Sequence, residues 1–190
     1  MRCYSCSKLS FNILCKTCKK ELFTPNIKVR HLSDLDVISF FRYSTLESLL
    51  HTKHKPEGYR IYKSLAEITM KPFIAKFIEN MDDIYIVGID ENVRSGYSHI
   101  ALLTHAMKMK NVIIQHSSLL ATNKINYSGK SLLFRLGNPR SFKYNGKRDI
   151  NVILVDDIIT TGTTLKEAQQ VLIKNNINVL FALTLADVKE

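Results

Sequence analysis

Apolar and polar positions follow two rhythms along this chain. Unbroken apolar runs at Ile84–Ile89, Val112–Ile114 and residues 151–155 read as strands covered on both faces. Asp36–Tyr43, with Val37, Ile38, Phe40 and Phe41, and Val179–Leu185 read as two more. Between them the apolar residues fall at helical spacing. Leu46, Leu49 and Leu50 share one face of a short helix over Thr45–His51. Ile61, Leu65, Ile68, Phe73 and Phe77 turn inward from a longer helix over Tyr59–Glu79, which Pro72 should bend or divide. Ile100–Met109 and a segment at about 163–175, with Leu165, Ala168, Val171 and Leu172 aligned, complete the helices. Strands alternating with helices predict an α/β fold built on a mostly parallel sheet with flanking helices. Pro25–Ser33 reads as a connector, His51–Gly58 as a basic turn, and 90–98 as a loop. Residues 115–149 are too long for an ordinary connection and too polar for core, which marks a functional loop. The chain divides into a small module over 1–24 and a main domain over 34–190, without internal repeats or low-complexity tracts.

The stretch Val152–Thr164 reads VILVDDIITTGTT. Asp156 and Asp157 are expected just past the strand's carboxyl end, where open α/β sheets bind ligands. Ionised carboxylates accept hydrogen bonds without donating, so an adjacent pair suits two vicinal hydroxyls, and it can also help hold Mg²⁺. Thr160, Thr161, Gly162, Thr163 and Thr164 then offer hydroxyls and backbone N–H groups at the start of a helix. Gly162 permits a tight turn, and a helix N-terminus favours phosphate. This order of parts describes a site for a sugar phosphate with neighbouring hydroxyls; the bland alternative is a threonine-rich helix cap. The loop after Ile89, holding Asp90, Arg94, Gly96, Tyr97, Ser98 and His99, should reach the same crevice. Arg94 suits a pyrophosphate through bidentate hydrogen bonds. His99 reads as a helix-start residue with no ligand.

All four cysteines lie within the first eighteen residues, as two C-x2-C pairs, Cys3/Cys6 and Cys15/Cys18. Four thiolates at such spacing suit tetrahedral Zn²⁺ in a closed, structural site, although the spacer Ser7–Leu14 is shorter than the commonest zinc-ribbon spacer. An iron–sulfur cluster is the rival among metals, and two disulfides or redox pairs are the alternatives without one. Arg2 is followed at once by Cys3 with no apolar signal core, and no run approaches the roughly 18 apolar residues that span a bilayer. The chain is expected to be cytoplasmic, with a peripheral contact to the inner membrane left open.

The formal net charge of +10 is unevenly spread. Residues 1–30 hold seven Lys/Arg against one acid, Glu21, and residues 124–148 hold seven Lys/Arg and no acid. The second group comprises Lys124, Lys130, Arg135, Arg140, Lys143, Lys147 and Arg148. Aromatics accompany both: Tyr4, Phe11 and Phe23, then Tyr127, Phe134, Phe142 and Tyr144. Cations that track a phosphate backbone, combined with aromatic faces that stack bases, favour single-stranded nucleic acid. The alternative for each aromatic is a place in the core.

The Val152–Thr164 stretch resembles the phosphoribosyl-pyrophosphate (PRPP) loop of the type I phosphoribosyltransferases. That likeness implies that Asp156 and Asp157 bind the ribose hydroxyls, that Thr160–Thr164 hold the 5′-phosphate, and that Mg²⁺ accompanies the pyrophosphate. The chain as a whole resembles the ComF (ComFC) competence-protein family, which joins such a fold to an N-terminal four-cysteine zinc module. This rests on the two cysteine pairs, Tyr43, the Lys53/Lys55–Gly58 turn, Gly96-Tyr97, Arg135 with Asn138 and Phe142, and the Val152–Thr164 loop. The chain departs from the family where Gly88 and Asp90 replace expected prolines, and where Arg94–His99 only approximates an Arg-Gly-Phe-Asn-Gln run. The resemblance implies a protein that handles single-stranded DNA during natural transformation, with structural zinc, a Mg²⁺–PRPP site, and contacts to other DNA-uptake proteins or the inner face of the membrane. The alternative is an active transferase that moves ribose 5-phosphate from PRPP to an acceptor. No residue is marked as catalytic.

Overall fold

The strand-forming runs of this chain converge on one sheet. The computed structural model describes residues 1–79, 83–89, 96–123, 134 and 137–189. Its strands are β1 (Lys28–Leu32), β2 (Leu35–Arg42), β3 (Ile84–Gly88), β4 (Val112–Gln115), β5 (Leu119–Ala121), β6 (Phe142–Tyr144), β7 (Asn151–Ile159) and β8 (Asn178–Asp187). Its helices are α1 (Lys16–Glu21), α2 (Tyr43–Leu50), α3 (Pro56–Ile68), α4 (Met70–Phe77), α5 (His99–Ala106) and α6 (Thr163–Ile173). A six-stranded sheet runs in the order β1-β2-β8-β7-β3-β4. Every neighbouring pair in it is parallel except β1 with β2.

The unbroken apolar runs are buried because both faces of this sheet are covered. Along β7, Ile153 and Val155 pack with residues of α2–α5, while Val152 and Leu154 pack with Leu165, Ala168 and Leu172 of α6. All four of these β7 side chains are fully buried. Each contributes about 1.5–3 kcal/mol relative to exposure.

Several expectations are refined. The segment Pro25–Ser33 is not a plain connector: it contains β1, paired antiparallel to β2 from Lys28↔Ser39 to Leu32↔Leu35 through a turn with Ser33 at φ 58°. Within β1 only Leu32 is buried, so no apolar run announces the strand. The helix expected over Tyr59–Glu79 is divided into α3 and α4. The break falls at Thr69, whose Oγ1 donates to the Leu65 carbonyl at 2.7 Å. Pro72 is the third residue of α4, inside the first turn, where a missing N–H breaks no helical bond. The long segment after β4 is built at its base from the antiparallel ribbon β5–β6, with Leu119 and Phe142 in the core beneath α6.

The cysteine module is joined to the main core. Ile13, Leu14, Cys18 and Phe23 belong to the same buried cluster as Phe40 and Leu46, and the Asn26 N–H donates to the Phe40 carbonyl at 2.8 Å. Among the described residues, no helix is long and apolar enough to cross a membrane.

Candidate functional site

The acid pair sits where the sheet opens on one side. The β3–β7 ladder ends at Gly88↔Val155, followed by one bond from the Ile89 N–H to the Val155 carbonyl at 2.9 Å. On the other flank β7 continues beside β8, with Asp156↔Thr184, Ile158↔Ala186 and Ile159↔Asp187 in register. Asp156 and Asp157 therefore lie within β7 rather than past its end, and they form the crevice only on the β3 side. Consecutive strand residues leave on opposite faces. The two side chains nevertheless meet, since Asp156 is one of the hydrogen-bond partners of the Asp157 carboxylate.

Asp157 is buried among polar groups from α3, α5 and the turn between α2 and α3. Its Oδ2 lies 3.4 Å from Lys53 Nζ, 3.3 Å from His99 Nε2 and 3.5 Å from the Tyr62 hydroxyl, which also donates to the Leu50 carbonyl at 3.2 Å. Burial alone raises this carboxyl's pKa. The hydrogen bond from His99 and the Lys53 charge outweigh burial and hold it well below the usual carboxylate range. Tyr62 is pushed well above the usual phenol value, first by burial and then by the Asp157 charge. Asp156 is half-buried, and its Oδ1 accepts from the Asp157 N–H at 2.8 Å.

Local structure fixes these partners. The 51–58 turn is closed by Lys55 N–H to Thr52 O at 2.8 Å and Gly58 N–H to Lys55 O at 3.0 Å. Tyr97 ties it to the start of α5 by donating to the Lys55 carbonyl at 3.0 Å. A Cβ at Gly58 would collide with the Thr52 carbonyl and the Tyr97 hydroxyl. Ser98 caps α5 through its Oγ, which accepts the Ala101 N–H at 3.0 Å, and this sets His99 in the first helical turn. His99 is thus a helix-start residue, as expected, but its ring is buried and aimed at Asp157.

The phosphate-cradle candidates form the turn from β7 into α6. Gly162 is the helix N-cap at φ 82°, ψ 0°, and a Cβ there would run into Leu32. Thr161 Oγ1 bonds Thr163 Oγ1 at 2.9 Å. The N–H groups of the first turn of α6 have no partners within the helix, and that of Thr163 meets Thr161 Oγ1 at 3.4 Å. Beneath the turn, Arg30 Nη1 donates to the Thr160 carbonyl at 2.7 Å and to Asp187 Oδ1 at 3.1 Å. Arg30 was not among the sequence candidates; it reaches the loop from β1, the strand that the apolar pattern did not reveal.

The four cysteines come together. Their Sγ atoms all lie within 4.8 Å of one another, with Cys3–Cys18 at 3.9 Å and Cys6–Cys15 at 3.7 Å. A tetrahedron of 2.3 Å metal–sulfur bonds has edges of about 3.8 Å, so the set fits one tetrahedral ion. The cysteines are free rather than joined in disulfides. N–H groups support the sulfurs: Cys15 N to Cys3 Sγ at 3.3 Å and Cys18 N to Cys15 Sγ at 3.4 Å.

The basic candidates are scattered. Lys124, Lys130, Arg135, Asp90 and Arg94 lie outside the described residues, as does Tyr127. The Arg140 and Ser141 N–H groups donate to Glu167 of α6 at 2.9 and 2.6 Å. Lys143 and Arg148 are exposed. Lys147 is also exposed, but its ammonium donates to the Tyr85 hydroxyl at 2.7 Å, and that bond raises its pKa. Phe142 is core and offers no stacking face, while Tyr144 is half-buried and its hydroxyl donates to the Lys147 carbonyl at 2.6 Å. In the first basic segment Phe23 is core, whereas Phe11 is 99% and Tyr4 39% exposed.

No protein-family model and no curated protein matches the chain. Solved structures similar to it include phosphoribosyltransferases. An adenine phosphoribosyltransferase from Saccharomyces cerevisiae, complexed with an imino-altritol bisphosphate and adenine, is 16% identical with a TM-score of 0.46, over 91% of this chain and 89% of that one. A hypoxanthine phosphoribosyltransferase from Staphylococcus aureus is 17% identical with a TM-score of 0.43, over 75% and 72%. An orotate phosphoribosyltransferase from Aeropyrum pernix is 16% identical with a TM-score of 0.41, over 92% and 81%. Likeness at this level says nothing about what this chain binds.

Proposed function

We propose that the chain binds PRPP with Mg²⁺ at the carboxyl end of β7 and handles single-stranded DNA, as a member of the ComF-like competence proteins. One observation carries the ligand assignment: the Thr160–Thr164 turn, with left-handed Gly162 at the N-terminus of α6, stands directly after a carboxylate pair on the open flank of β7. The turn offers N–H groups and threonine hydroxyls to a 5′-phosphate, and Asp156, the less buried carboxylate of the pair, meets the ribose hydroxyls. Mg²⁺ would be held between carboxylate oxygens and the pyrophosphate, where it neutralises charge.

The cysteine set holds zinc in this reading. Four sulfurs in a closed set give a structural site, which orders the short module and presents its surface. The module exposes Arg2, Lys8, Lys16 and Lys20 as well as the rings of Tyr4 and Phe11, residue types that suit unpaired bases and their phosphates. A second reading, transfer of ribose 5-phosphate to an acceptor, is favoured by the Lys53–Asp157–His99 group, which brings a cation to the site beyond what holding a ribose requires.

Fluorescence anisotropy with labelled single-stranded DNA, with and without PRPP and Mg²⁺ across a salt series, tests the proposal. Binding with a steep salt slope is expected, and a PRPP effect on it would show that the two sites are coupled. No DNA binding at low salt, with PRPP still bound, would leave a small-molecule transferase.

A further inference from the structure

The two adjacent carboxylates of β7 have different surroundings. Asp156 is half-buried, its Oδ1 accepts the neighbouring N–H, and its side chain also bonds that of Asp157. The Asp157 side chain is only 10% exposed, and one oxygen is shared among Lys53, His99 and Tyr62. A carboxylate so enclosed and so engaged is poorly placed to receive two sugar hydroxyls. The Lys53 side chain is 29% exposed, so it is held by Asp157 without being enclosed.

PRPP carries anionic groups at both ends of the ribose. The 160–164 turn serves one end. The other end needs a cation across the acid pair from that turn, and Lys53 comes from the α2–α3 turn on the α3/α5 side of β7. The 51–58 turn is bonded to Tyr97, so Lys53 is carried on a fixed segment rather than a loose one.

Resting on the PRPP reading, we propose a division of labour: Asp156 is the ribose-binding carboxylate, whereas Asp157 is a positioning residue that holds Lys53 to meet the pyrophosphate end of the ligand. His99 and Tyr62 steady the same Asp157 oxygen. Lys53 is then a ligand-binding residue, and the acid pair behaves as one binding group and one support.

The test compares ligands that differ only in the pyrophosphate. PRPP and ribose 5-phosphate are titrated calorimetrically, with Mg²⁺, into the full chain and its variants. Lys53→Ala should weaken PRPP by about tenfold or more, the size of one charge-assisted contact, and leave ribose 5-phosphate unchanged. Lys53→Arg should restore most of the PRPP affinity. Asp156→Asn should weaken both ligands. Asp157→Asn should weaken PRPP selectively, and combining it with Lys53→Ala should cost less than the two losses together. Should Asp157→Asn not fold, the Lys53 variants still decide, because Lys53 is partly exposed. Equal losses for both ligands in Lys53→Ala, or no loss at all, overturn the division of labour while leaving PRPP binding intact. Failure of the unmodified chain to bind either ligand overturns the PRPP reading itself, and this inference with it.

Discussion

Replacing Gly162 by alanine should damage both stability and ligand binding, and the size of the effect follows from two separate costs. Gly162 caps α6 at φ 82°, a left-handed conformation that costs a residue with a Cβ about 1–2 kcal/mol. The new Cβ would also run into Leu32 Cδ1 and stand 3.0 Å from its Cδ2. The contact is with the end of the Leu32 side chain, which can partly give way, so it adds about 1 kcal/mol, the low end of overpacking, and Gly162→Ala should cost about 2–3 kcal/mol in all. Gly96 is the internal control: it has φ 79°, but a Cβ there meets open space, so Gly96→Ala should show the backbone cost alone. Urea unfolding of both variants measures the difference. A Leu32→Ala partner closes the cycle, since the double variant should lose less than the sum of the singles. If Gly162→Ala is no less stable than Gly96→Ala, the packing of β1 against the loop is wrong. If it is destabilised yet binds PRPP normally, the turn is not the phosphate cradle.

Changing Cys3 and Cys6 to serine should abolish binding of one zinc per chain, read by elemental analysis. It should also loosen residues 1–24 to proteases by removing the cross-link between the two cysteine pairs, although Leu14 and Phe23 stay anchored in the main core. Acid should act through Asp157. Its carboxyl is held below the ordinary value, so its contribution to stability is complete above about pH 4 and fades as pH falls; Asp157→Asn should flatten the acid limb of a stability–pH curve. Neutralising Lys143, Lys147 and Arg148 should weaken single-stranded DNA binding and shallow its salt slope. Lys147 should contribute least, being occupied by Tyr85. Phe11→Ala should cost about 1–3 kcal/mol of DNA affinity if the ring stacks a base, as anisotropy would show.

What the chain reveals before folding depends on whether a signal is local. The β7–turn–α6 unit is contiguous, and its apolar run, acids, glycine and helix face are all legible within Val152–Ile173. The cysteine pairs are close in sequence and meet as their spacing suggests. The partners of Asp157 are not local: Lys53 lies 104 residues away and Tyr62 95, so only the topology brings them together. His99 is read correctly as a helix start, but its ring direction depends on α5 packing against α3 and β7. The strand β1 escapes notice because an edge strand with a mostly exposed surface needs no apolar pattern. The continuation of β7 through the acids escapes for a related reason, since it is dictated by β8 rather than by β7's own residues.

The most direct measurement is a calorimetric titration of PRPP into the unmodified chain with Mg²⁺, repeated with ribose 5-phosphate as competitor. Saturable binding at one site per chain, displaced by ribose 5-phosphate, is the expected result. Absence of binding, or binding that ribose 5-phosphate does not compete, would contradict the assignment of the β7–α6 turn as a sugar-phosphate site.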